Sequence, residues 1–147
     1  MKNLPIGIQN IQEIITDGYI YVDKTQFALE LIQTGKHYFL SRPRRFGKSL
    51  FVSTLEEIFK GNKALFEGCH IAESNYDWKP YPVLYLDFGD IANETPKELK
   101  ADLSDILIKM GKKQGITVKG PSLQSQLKAL IEALAENGTL QKGLCCL

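Results

Sequence analysis

Apolar residues recur at helical spacing in five stretches of this 147-residue chain and run together in two short ones. The first periodic stretch is "NIQEII", Asn10 to Ile15, followed by a turn at Asp17 and Gly18 and a short extended piece, "YIYV", Tyr19 to Val22. In "DKTQFALELIQTG" the apolar residues Phe27, Leu29, Leu31 and Ile32 fall mostly on one stripe; Asp23 or Thr25 is the candidate N-cap and Gly35 the terminator. The run "HYFLS", His37 to Ser41, is too short for a helix and predicts a buried strand. Lys48 to Lys60 returns to helical spacing through Leu50, Phe51, Leu55, Ile58 and Phe59, and stops at Gly61 and Asn62.

Residues 62–81 mix aromatic and polar positions without a period. "PVLYLDF", Pro82 to Phe88, is the second buried-strand candidate, with its proline acceptable at the strand start. Thr95, Pro96 and Glu98 then supply an N-cap, a first-turn proline and a capping-box acid for a helix running to about Gly111. After a short extended link over Gly115 to Val118, "GPSLQSQLKALIEALAENG" puts Leu123, Leu127, Leu130, Ile131 and Leu134 on one face and ends at Asn137 and Gly138. Strands alternating with helices favour an α/β layer fold with a mostly parallel sheet, although two strands are too few to complete one.

Composition narrows the classes. With 44% hydrophobic and 24% charged residues and a net charge of +1, the chain has ordinary globular chemistry, and nothing global points to nucleic acid or acidic lipid. No segment approaches the roughly 20 apolar residues of a membrane span, and the N-terminus has no apolar signal core. Cys69, Cys145 and Cys146 form neither a disulfide framework nor a spaced ligand set, so a reduced, cytoplasmic chain is expected; the adjacent pair reads as a frayed tail more readily than as a metal or redox fragment.

The candidate chemistry lies in "HYFLSRPRRFGKSLFV", where a strand-like run, a turn and a helix follow one another. Phosphates are held where backbone N–H groups converge at a helix N-terminus, and Gly47, Lys48 and Ser49 sit where a phosphate-binding loop needs its turn, its cation and its Mg²⁺-ligating hydroxyl. The pattern's first glycine is replaced by Arg42, followed by Pro43. Arg42, Arg44 and Arg45 can neutralise phosphate or pair with carboxylates elsewhere, and a solvated basic turn is the alternative reading. Asp87, at the end of "VLYLD", has the spacing of a metal-positioning carboxylate or, more simply, caps the turn that follows.

The blocks "YVDKT", "FLSRPRRFGKS" and "YPVLYLDF" resemble the N-terminal part of the bacterial AAA-ATPase-like family, predicted P-loop ATPases that often carry a restriction-endonuclease-like nuclease domain at the C-terminal end. The likeness runs from about Leu4 to about Glu136, leaving 137–147 as a divergent tail and the whole of 1–147 as the N-terminal portion of one such domain. It implies a P-loop three-layer α/β/α fold, here incomplete, and makes Arg42 and Pro43 a normal variant of the loop. The implied ligands are ATP and Mg²⁺. The candidate nucleotide-binding set is Arg44, Arg45, Phe46, Gly47, Lys48, Ser49 and Leu50, with Ser49 the metal ligand.

The resemblance also demotes Asp87, because family members place the Walker B acids in an Ile-Asp-Glu-Tyr-Asp segment after the helix resembling "LKALIEALAE". Here "NGTLQKGLCCL" follows instead, with no Asp-Glu pair after Glu136, so the expectation is a truncated, frameshifted or excised piece of a longer ATPase that binds ATP with weak or absent hydrolysis. Two rivals stand beside it. One is a nucleic-acid or partner-binding module that uses the basic Arg42–Arg45 loop; the other is a remnant without function.

Overall fold

The structure, a computed structural model, describes residues 2–35, 37–86, 95–136 and the backbone of 145–146. The chain divides into two compact units, Met1–Pro80 and Tyr81–Leu147. Among the described residues helices dominate, and no helix is long and apolar enough to cross a membrane.

The first unit holds α1 (Ile11–Thr16), α2 (Thr25–Thr34), α3 (Lys48–Phe59), a single 3₁₀ turn (Lys63–Phe66) and α4 (His70–Glu73). Helix α1 begins where the Asn10 side chain accepts from the Gln12 N–H, which satisfies one of the donors a helix start leaves open. It packs on α3, and the Ile11 N–H donates to Ser53 Oγ on that helix at 3.1 Å. Helix α2 packs on both α3 and α4. Its buried positions are Thr25 and Ala28, whereas Phe27, expected on the inward stripe, is exposed. The core between these elements is Ile11, Ile14, Ala28, Leu55, Ile58, Phe66 and Ile71.

The second unit holds β1 (Val83–Leu84), α5 (Pro96–Lys113), α6 (Leu123–Leu134) and β2 (Cys145–Cys146). The expected caps are present. Thr95 Oγ1 accepts from the Glu98 N–H at 3.2 Å and donates to the Glu98 carboxylate at 2.8 Å, and Ser122 and Ser125 form a reciprocal capping box on α6. Leu84, Leu107, Leu130 and Leu134 form the buried centre, with Met110, Ile116, Val118 and Leu127 packed against it.

Gly111 lies where α5 meets the link that follows it. A Cβ built there would stand 2.4 Å from Val118 Cγ2 and 2.9 Å from the Ile116 carbonyl oxygen. Gly111→Ala should therefore lose more to displaced packing than it gains in helix propensity, a net cost of about 1–2 kcal/mol, read as a lowered urea midpoint with unchanged slope.

The sheet departs from expectation. Val83 pairs with Cys145 and Leu84 with Cys146 in parallel register, so the adjacent cysteines take a strand position rather than a frayed one. This pairing spans two residues per strand, and the described residues do not show the three-layer parallel sheet. Residues 37–41, expected as a buried strand, take no regular structure and are exposed, with Phe39 at 93%. An extended segment becomes a strand only by pairing its backbone groups with a neighbour, and among the described residues this one has no such partner.

Candidate functional site

The turn that carries the sequence candidates opens α3. Arg44 and Arg45 occupy the turn itself, both exposed, and Phe46 follows at 63% exposure. Gly47 is the N-cap, with φ 74° and ψ 24° in the left-handed region that glycine adopts without steric cost. Nothing lies within 4 Å of where its Cβ would be, so the backbone here is open to an incoming group. Lys48, Ser49 and Leu50 form the first turn of α3; Ser49 is exposed and the other two are half-buried.

Lys48 gives the loop its shape. Its Nζ donates to the carbonyl oxygens of Arg42 and Pro43, the second at 3.0 Å. One ammonium thus ties the start of the turn to the start of the helix, and of its three donors it keeps one uncommitted. Arg45 also lies in the left-handed region, at φ 66°. Left-handed residues at 45 and 47 bend the backbone on either side of Phe46. The helix dipole adds partial positive charge at the same end. These features suit the triphosphate of a nucleotide, and Ser49 has the hydroxyl that a bound Mg²⁺ would take. Asp87 lies outside the described residues.

"YVDKT" has a different part. Asp23 Oδ1 accepts from the Thr25 N–H and Oδ2 from the His70 N–H, both at 2.8 Å, while Thr25 Oγ1 accepts from the Ile71 N–H at 3.1 Å. The N-cap position of α2 is Lys24, between the two candidates, and it makes no side-chain cap bond. Asp23 instead accepts from the first N–H of α2 and the first N–H of α4, and the buried Thr25 accepts from the next N–H of α4. Sequence periodicity could not reveal this, because the donors on α4 lie 46 and 47 residues away.

Partial burial pushes the Asp23 carboxyl up, but the backbone bonds from His70 and Thr25, the Thr25 hydroxyl and the nearby His70 charge outweigh it and hold the group below the ordinary carboxylate range. The stability that Asp23 contributes is thus present above its unfolded pKa of about 4 and is lost as pH falls through the lower folded value. Asp23→Ala should destabilise the fold by about 1–2 kcal/mol at neutral pH. Thermal melts of the two proteins should converge as the solution is acidified through that range.

A model of the family described as "Predicted AAA-ATPase" matches residues 5–142. Among curated proteins, one from Azotobacter chroococcum mcd 1, described as "Uncharacterized protein in vnfD 5'region", is 50% identical over 108 residues, covering 72% of this chain and 21% of the relative. The chain therefore spans about a fifth of the length of that curated relative. No solved structure matches it. With the family model covering nearly the whole sequence, including the Lys48-tied turn, the chain belongs to the Predicted AAA-ATPase family.

Proposed function

We propose that the turn from Arg44 to Leu50 is a variant Walker A loop that binds ATP with Mg²⁺. The observation that carries this reading is the Lys48 tie. A lysine that spans the loop to the Arg42 and Pro43 carbonyls restrains the backbone that leads into the α3 N-terminus, and such restraint lowers the ordering cost of binding an anion there. Arg42 and Pro43 cost the motif little, because they contribute carbonyl oxygens, which any residue supplies.

Each residue of the set has a part. Gly47 lets the backbone approach the phosphates; Lys48 offers its remaining proton to them; Arg44 and Arg45 add charge. Ser49 would hold the metal ion, which when bound would supply charge neutralisation. Phe46 and Leu50 flank the turn, the latter anchoring it on α3. Family membership supports ATP as the nucleotide, and the activity of the longer relatives is a separate matter.

The test is local. Amide hydrogen exchange with and without Mg-ATP should show slowed exchange confined to the amides of residues 44–50. Protection spread evenly over the first unit, or none at all, contradicts the reading.

A further inference from the structure

Arg45 is the unexplained residue of the loop. It holds a left-handed backbone at φ 66°, a conformation in which glycine or asparagine would be unstrained, yet the position carries a long cationic side chain. Strain kept at the turn proposed to meet the nucleotide directs attention to what the side chain supplies there. Its neighbours show what that is. Arg42, Arg44, Arg45 and Lys48 stand within seven positions, and among the described residues none of them is in an ion pair; those that form belong to Lys60 and Lys128. Lys48 has already committed two of its three donors to the Arg42 and Pro43 carbonyls. The arginines are exposed, and among the described residues their side chains form no ion pair.

A nucleoside triphosphate carries about four negative charges at neutral pH, of which a bound Mg²⁺ offsets two. Guanidinium groups are permanently charged and can meet two phosphate oxygens at once. We propose that Arg45, assisted by Arg44, takes over much of the charge compensation that Mg²⁺ gives, so that the loop binds metal-free nucleoside triphosphate nearly as well as the magnesium complex. The inference rests on the nucleotide-binding reading and adds to it a ligand form and a residue responsible for it.

Calorimetric titration of the whole chain with ATP in excess Mg²⁺, and again in a chelator, tests it. The two affinities should agree within about threefold in the unmodified protein. Arg45→Asn, which suits the left-handed backbone and removes the charge, should weaken both forms, and metal-free binding about tenfold more than Mg-ATP binding. Its ligand-free melting temperature should stay level or rise, since strain is relieved. Arg45→Lys should recover part of the metal-free binding.

An unmodified protein that binds Mg-ATP but loses more than about tenfold without metal overturns the inference and leaves the nucleotide reading intact. Equal weakening of both forms by Arg45→Asn does the same. Silence in both titrations of the unmodified protein removes the two together.

Discussion

Lys48→Ala is expected to weaken Mg-ATP binding by at least about 100-fold while changing the stability of the fold by no more than about 0.5 kcal/mol. The two halves of this expectation come from different facts. The lysine restrains the loop by donating to the Arg42 and Pro43 carbonyls and, in its proposed role, meets the phosphates, so its loss would remove a charge-assisted contact and release that restraint. Those carbonyls belong to exposed residues, however, and water can replace the lysine at each of them. Lys48→Arg should restore little, because a planar guanidinium does not reproduce an ammonium that divides its donors between two carbonyls and a ligand. Titration calorimetry beside a urea melt separates the halves. A variant that still binds, or one that unfolds, would show that Lys48 has been given the wrong part.

The second large effect lies in the core of the first unit. Phe66 is fully buried at the end of the 3₁₀ turn, and its ring centroid lies 5.6 Å from that of Trp78, which also makes an edge contact with Tyr76 at 5.2 Å. Phe66→Ala would remove the ring and leave a cavity, at a cost of about 3–5 kcal/mol. Small domains have total stabilities of only about 5–15 kcal/mol, so the variant should sit close to its unfolding threshold at room temperature. Trp78 is the single tryptophan of the chain, and its emission gives a clean readout. A spectrum shifted to the red with an early, shallow urea transition is the expected result. A melt within about 1 kcal/mol of the unmodified protein would mean that the ring is not a core element.

What the sequence made legible follows the range of the interactions. Helices α5 and α6 were readable because their signals are local: Thr95, Pro96 and Glu98 at one start, Ser122 at the other, and leucines at helical spacing between. The turn before α3 was readable in residue type, since Gly47 and Lys48 serve a backbone conformation and a charge that the motif encodes directly. The Lys48 tie itself was not, as it depends on how the chain curls over Arg42 and Pro43. Residues 62–81 gave no pattern because their order comes from elsewhere: α4 has four residues and is held from Asp23 and Thr25 on the far side of the sequence.

The strand expected at residues 37–41 fails for the complementary reason. Tyr38, Phe39 and Leu40 have the composition of a strand, but a strand is a property of two segments, and composition describes one. The same logic explains Cys145 and Cys146, whose backbone pairs with Val83 and Leu84 although nothing in "GLCCL" marks it as the partner.

The central claim is that a turn tied by Lys48 binds the triphosphate of ATP. Titrating Mg-ATP into the unmodified protein by calorimetry tests it most directly. The account predicts saturable binding at one site per chain, competed by inorganic triphosphate. Absence of binding heat up to millimolar ATP, with the basic turn instead retaining a DNA duplex in a salt-dependent manner, would contradict it.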